Sequence, residues 1–158
     1  WFYGLFRLTG ANLNATATDN TEDPLYNYTR TCSSQFRIGA GINNSKYGLV
    51  VGTGVTDPTN TDYKLATQLT EGVGVGNITH GAVTVGPAGI VGVNVEIETE
   101  RPFTNNTGST ITIKEAGVYV GLEMFDYYHC IIRDVLETPV VLPNRCSLTV
   151  YYTFRTTV

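Results

Sequence analysis

Two histidines, His80 and His129, and three cysteines, Cys32, Cys130 and Cys146, are the side chains most able to bind a metal or act as nucleophiles in this 158-residue chain. Neither histidine lies in a His-x-Glu or His-Glu-x-x-His pattern, and the cysteines show no Cys-x-x-Cys or Cys/His metal spacing. His129 and Cys130 are adjacent, so on a strand they point to opposite faces and cannot form a Cys/His pair with each other. No serine sits in a Gly-x-Ser-x-Gly elbow. The glycine clusters Gly52-Thr53-Gly54 and Gly72 to Gly76 match neither a phosphate-binding loop nor a dinucleotide fingerprint, and read as bends or bulges in strands. Asp19, Glu22 and Asp23 offer oxygen ligands of the kind calcium takes, but their spacing matches no calcium loop; a solvated acidic segment is expected. Glu96, Glu98 and Glu100 share one strand face, the pattern of a wetted surface. Glu115 falls among apolar residues and calls for an ionic partner, Arg101 or Arg133. The reading is of a protein that is not an enzyme, with no cofactor and no metal.

The elements that carry these residues alternate with a period of two from residue 35 onward. Val91, Val93, Val95 and Ile97 alternate with polar residues or glycine. Ile111 to Val120 and Leu148 to Arg155 follow the same rule, the latter with Leu148, Val150, Tyr152 and Phe154 on one side. Further strands are expected at Phe36–Gly41, Tyr47–Gly52, Tyr63–Thr70, Ile78–Val85, Tyr127–Leu136 and Pro139–Leu142. Turn clusters such as Asn43-Asn44-Ser45, Asp57-Pro58, Gly86-Pro87 and Pro143-Asn144 separate them. The expectation is an all-β, antiparallel β-sandwich (jelly-roll or Ig-like) of about 8–10 strands, preceded by an extended N-terminal strand.

Composition narrows the function classes. Hydrophobic residues make up 42% of the chain, enough for a core, and charged residues only 15%, too few for a coiled coil or a disordered tail. The net charge is −4 and the ten basic residues are scattered, so no nucleic-acid footprint is expected. No apolar run reaches the roughly 18 residues of a membrane helix. The first residues carry neither a charged n-region nor a small-residue cleavage site. Two of Cys32, Cys130 and Cys146 are candidates for a disulfide, leaving one free thiol; three reduced thiols are the other arrangement.

The division expected is an apolar strand at 1–8, a polar Thr/Asn-rich linker at 9–34 and the sandwich at 35–158. Trp1, Phe2, Tyr3, Leu5, Phe6 and Leu8 would be expensive to leave in water; burying four of them is worth roughly 6–12 kcal/mol before entropy costs. They have two destinations. One is the chain's own sandwich, as its first strand. The other is the sheet of a neighbouring copy, by strand addition, which the long polar linker favours. A strand passed head to tail is a heterologous contact, and such contacts generate open filaments when they do not close. Asn-x-Ser/Thr sites at Asn14, Asn27, Asn43, Asn77 and Asn105, with Thr16, Thr18 and Thr21 in the linker, are candidate sugar attachment points.

Three stretches carry a family resemblance: Gly48 to Gly54 running through Asp57-Pro58 to Asp62-Tyr63-Lys64-Leu65; Arg101 to Gly108 with Ile111 to Tyr119; and Ile132 to Leu136 with Pro139 to Pro143 and Leu148 to Phe154. Over residues 36–158 the chain resembles a β-sandwich domain of tailed-phage and prophage virion or appendage proteins, and is similar to subunits of extracellular donor-strand fibrils. The resemblance implies a structural role and no cofactor. The expected function is therefore a subunit of a helical extracellular fibril or virion appendage, a homopolymer whose partners are copies of itself and, where attached, covalent glycans. The competing expectation is a carbohydrate- or receptor-binding module, with Tyr26, Tyr28, Tyr127 and Tyr128 as stacking platforms.

Overall fold

Period-two sequences rich in Val, Ile, Thr and Tyr fold into strands because branched and aromatic side chains pack well on a pleated surface. The computed structural model describes residues 13–25, 37–122 and 126–157, and among these there is no helix. The strands are β1 (Leu13–Thr16), β2 (Glu22–Leu25), β3 (Gly48–Gly52), β4 (Thr70–Glu71), β5 (Asn77–His80), β6 (Thr84–Val85), β7 (Gly89–Val91), β8 (Asn94–Thr104), β9 (Ile111–Leu122), β10 (Tyr127–Leu142) and β11 (Ser147–Thr157). One sheet has the order β10-β9-β3. The other has the order β11-β8-β5-β4, and β6 and β7 also pair with β8. β8 is long enough to take three short partners in succession along one edge: β7 at Asn94–Glu96, β6 at Thr99–Glu100 and β5 at Phe103–Thr104. All pairs are antiparallel except β4 with β5. The chain is all-β and sandwich-like, as expected.

The core forms where the two sheets face each other. Val51, Ile113, Ala116 and Leu142 from the first sheet pack with Ile78 and Phe103 from the second and with Leu69. Leu148, Val150 and Tyr152 of β11 add half-buried area. A second cluster of Ala40, Tyr47, Val50, Leu65 and Tyr119 covers the opposite side of β3. Since Val50 and Val51 enter different clusters, β3 is wrapped on both faces, which is why Gly48-Leu-Val-Val-Gly52 reads as a continuous apolar run. Each fully buried aliphatic side chain contributes roughly 1.5–3 kcal/mol.

Several expected boundaries move. Tyr63–Thr70 is a loop apart from a single bridge at Gln68 and the start of β4, because side chains from β9 capture its backbone N–H groups. Phe36 lies outside the described residues, and Arg37 to Gly41 makes one bridge, Arg37 with Gly121, rather than a strand. Ile78–Val85 splits into β5 and β6. Tyr127–Leu136 and Pro139–Leu142 join as one strand, β10, with irregularities between Cys130 and Ile132 and between Val135 and Val140. Val91 to Ile97 is not one strand. Gly92, with φ 63°, and Val93 make the tight turn between β7 and β8, which destroys the alternation at that point. The polar segment 9–34 also contains structure, since β1 pairs with β2 through Leu13↔Leu25 to Thr16↔Glu22. Its turn is closed by Asp19, which accepts from the Thr21 N–H at 3.0 Å and hydroxyl at 2.6 Å.

Candidate functional site

The buried polar groups were built for holding loops. Glu115 on β9 is fully buried. Its Oε1 accepts from the Gly54 N–H at 3.0 Å and the Thr67 N–H at 2.7 Å; Oε2 accepts from the Ala66 N–H at 3.0 Å and from Arg133 Nε at 3.1 Å. Arg133, on β10, also donates to Asp62 Oδ2 at 2.6 Å and to the Thr56 carbonyl at 2.7 Å. Burial disfavours the Arg133 cation, yet Asp62 and Glu115 together outweigh it and raise its pKa. Asp62 is held below the usual carboxylate range, chiefly by the Thr59 N–H, with Arg133 adding to it. Tyr119 accepts from the Leu65 N–H through its hydroxyl oxygen at 2.5 Å, and burial pushes its phenol pKa up. Together these side chains replace a missing strand ladder and pin residues 54–67 to the sheet.

Gly52 and Gly54 are explained by the same clamp. A Cβ on Gly54 would stand 2.5 Å from Glu115 Oε1, and one on Gly52 2.6 Å from that same oxygen. Only glycine lets the backbone come close enough for the carboxylate to be bonded. Of the two expected partners for Glu115, the arginine is Arg133.

Arg101 has a separate role. It is fully buried on β8, and its Nε donates to the Gly81 carbonyl at 2.8 Å. Nη1 donates to the carbonyls of Leu49 at 2.8 Å and Tyr47 at 3.2 Å, and Nη2 to those of Asn44 at 2.5 Å and Gly41 at 3.3 Å. A guanidinium carries five N–H donors in a rigid fork, which suits it to gather five carbonyls from the 41–47 loop, β3 and the residue after β5. Burial lowers its pKa to about 10, so it stays charged at neutral pH. Beside it, the His80 ring packs edge-on against Phe103 at 5.2 Å. His80 Nδ1 faces Glu71 Oε2 at 2.9 Å and the Ile78 carbonyl at 3.0 Å, two acceptors, so Nδ1 carries the hydrogen. Nε2 is buried without a partner. Burial, then the neighbouring Arg101 charge, lower the His80 pKa against the pull of Glu71.

The other sequence-derived candidates fall as follows. Cys130 is half-buried and Cys146 exposed, and both are free thiols; Cys32 lies outside the described residues. Burial pushes the Cys130 thiol up to about 12. Among the sugar attachment candidates, Asn105 is fully buried and its amide donates to the Ser109 and Leu142 carbonyls at 2.7 and 2.8 Å. The Asn77 amide is bonded to Thr70 and Glu71, whereas Asn43 is exposed in a left-handed turn. Asn14 lies in β1, and Thr16 and Thr18 are half-buried. Thr21, which is exposed, gives its hydroxyl to Asp19. Asn27, Tyr26 and Tyr28 lie outside the described residues, as do Trp1, Phe2, Tyr3, Leu5, Phe6 and Leu8. Tyr128 stacks on Tyr47 at 5.8 Å, receives Lys46 at 5.6 Å from its ring centre and donates its hydroxyl to Asp126 at 3.0 Å. Tyr127, half-buried on β10, is also engaged within the chain. Among the described residues no group of three His, Cys, Asp or Glu is placed to hold a metal ion.

What the fold leaves open is apolar. Directly paired residues of antiparallel strands share a face, so Ile90 and Val95, Ile97 and Phe154, and Arg101 and Val150 all lie on the inner face of the second sheet. At Arg101 and Phe103 that face is sealed by the opposite sheet and its loops. Toward the β7–β8 turn it emerges: Ile97 is 36% exposed and Ile90 82%. Phe154 is half-buried, and along β11 the inner residues Leu148, Val150 and Tyr152 are also only half-buried. β11 pairs with β8 on one side and has no strand partner on the other among the described residues. The sequence pattern identified the apolar residues here; it did not show that the second sheet extends past its cover. No known protein family, curated protein or solved structure matches this chain.

Proposed function

We propose that this chain is a structural subunit of a helical extracellular fibril or virion appendage, polymerising head to tail by donation of its N-terminal apolar strand to the next copy. The observation that carries the reading is the edge of β11, which has no strand partner among the described residues, beside an uncovered apolar face. An eleven-residue edge strand with large side chains on its inner face is a template for strand addition unless something occupies it. Residues 1–8 supply a sequence with the required character, apolar, aromatic and of high β propensity. The buried charges support the same role. Glu115, Arg133 and Arg101 are consumed in fixing loops, which makes a rigid building block. The resemblance of residues 36–158 to virion and appendage sandwiches points the same way. A sugar-binding role has less support, since the rings of Tyr47 and Tyr128 are engaged with each other.

The test is assembly. Full-length chain viewed by negative-stain microscopy forms filaments, and a variant lacking residues 1–8 stays monomeric in sedimentation and prone to aggregation. Filaments of native appearance from the truncated variant would refute strand donation. A full-length chain that stays monomeric at tens of micromolar (a concentration at which roughly micromolar contacts are populated) would refute the polymer.

A further inference from the structure

We propose that His80 is an acid-operated latch: a proton taken from solvent at Nε2 expels the ring from the core and frees β4 from β5. The latch does not depend on polymerisation. Strand β4 is only two residues long, and its parallel pairing with β5 is thin. The Thr70 N–H reaches the Gly76 carbonyl at 3.3 Å, and the Gly72 N–H reaches the Ile78 carbonyl at 3.3 Å. Side chains strengthen the join. The Asn77 amide donates to Thr70 Oγ1 at 2.8 Å and to the Glu71 carbonyl at 3.2 Å. Glu71 Oε2 accepts both the His80 backbone N–H at 2.8 Å and the ring Nδ1–H at 2.9 Å. One carboxylate oxygen therefore ties β4 to the end of β5 through backbone and ring together.

The ring can hold one proton where it stands, and not two. With the hydrogen on Nδ1, Nε2 keeps a lone pair and is buried without a hydrogen-bond partner. His80 is 1% exposed, with its ring edge-on to Phe103 at 5.2 Å. A second proton would place an N–H in that apolar position with nothing to accept it, the costly case of an unsatisfied buried donor. Charge acts in the same direction. The charged groups that bear on the ring are Glu71 on β4 and Arg101 on β8, so an imidazolium makes two cations for one carboxylate. Arg101 is the fixed one. It is buried, and its five N–H groups hold the carbonyls of Gly41, Asn44, Tyr47, Leu49 and Gly81. The partner that can give way is Glu71, whose side chain is 26% exposed and stands on a two-residue strand. In keeping with this, burial first and Arg101 second favour the neutral ring against the pull of Glu71.

The test uses the full chain. Amide exchange between about pH 7 and about pH 5.5, a window above the ordinary carboxylate range, reads the opening, and imidazole nitrogen shifts in NMR read the ring. A state that exposes an ordinary imidazole gains population by up to about tenfold per pH unit below about 6.5. Protection factors at the Gly72 and His80 amides, corrected for the intrinsic rate, should therefore fall several-fold across the window, up to about tenfold. The paired amides of β8 and β11 keep theirs. At the upper end of the window the ring shows the Nδ1–H tautomer. His80→Gln, which cannot take up a proton, loses the pH dependence at Gly72. Unchanged protection at Gly72 and His80 across the window, whatever the charge on the ring, would overturn the latch. So would the same fall at Gly72 in His80→Gln. Should that variant not fold, the wild-type chain decides alone: loss of protection at Gly72 and His80 with β8 and β11 intact sustains the latch, and loss spread evenly over all strands refutes it.

Discussion

Replacing Glu115 by Gln tests the loop clamp with almost no change in volume. The carboxylate accepts four hydrogen bonds, two on each oxygen. A glutamine amide retains one acceptor oxygen and presents an NH2 at the other position. In one orientation the NH2 faces the N–H groups of Gly54 and Thr67; in the other it faces Ala66 N–H and Arg133 Nε. Either way two donors are left opposed, at about 1–3 kcal/mol each for buried groups. Arg133 also loses the more buried of its two anions and keeps Asp62, whose side chain is 25% exposed. Removing one partner from a buried pair costs about 3–5 kcal/mol, and since the two ledgers count some of the same bonds, that range is the expected total. For a chain of this size it corresponds to a Tm lower by roughly 6–20 °C. Asp62→Asn should cost only about 1 kcal/mol, because its partnership is nearer the surface. Urea unfolding gives the stability difference, and amide exchange locates it. Gly54, Ala66 and Thr67 should lose protection in Glu115→Gln while the paired amides of β8 and β11 keep theirs. A destabilisation below about 1 kcal/mol with unchanged exchange at those three amides would refute the clamp.

Gly54→Ala is expected to destabilise by about 1–3 kcal/mol, because the new methyl group would stand 2.5 Å from Glu115 Oε1; thermal melts that match wild type would overturn this. His80 has a folded pKa below its unfolded value of about 6.5, so the unfolded chain binds the proton more readily. Its contribution to stability is present above that value and lost as pH falls through the folded pKa, and urea midpoints should drop below pH 6.5 in wild type but less steeply in His80→Gln. Thiol labelling followed by peptide mapping at pH 8 should modify the exposed Cys146 readily and spare Cys130, whose thiol burial pushes up to about 12; equal labelling of the two would contradict the placement of Cys130.

Much of the fold is legible residue by residue. The alternation Leu148, Val150, Tyr152, Phe154 against Thr149, Tyr151, Thr153, Arg155 reappears as half-buried against exposed along β11. Ile111–Val120 and Tyr47–Gly52 likewise lie in β9 and at β3. Glu115 could be singled out because a carboxylate among apolar residues demands a partner, and Arg133 meets that demand. The capture of the 54–67 loop could not be seen, because Ala66, Thr67 and Leu65 contribute backbone N–H groups that are the same in every residue. Tyr63–Thr70 has the composition of a strand and fails to be one because side chains from β9 take the hydrogen bonds that a neighbouring strand would need. The sequence offers Arg101 as well as Arg133 as a partner for Glu115; its five carbonyl acceptors instead come from Gly41, Asn44, Tyr47, Leu49 and Gly81, groups without any sequence signature.

The residue pattern by itself determined that this chain is all-β and which side chains along β11 share a face, because side-chain direction along a strand is a local property with a period of two; along β9 that period breaks, since Ile113 and Ala116 enter one core cluster and Tyr119 the other. Tertiary structure alone decided which of those faces is covered. Val95 and Ile97 have the same character as Val150 or Phe103, yet Phe103 is sealed and Ile97 is open, because burial depends on how far the opposite sheet reaches and not on the strand that carries the residue. It also decided the fate of the charges, since the acceptors of a buried guanidinium and the donors to a buried carboxylate lie tens of residues away in the chain and meet only when the sheets close.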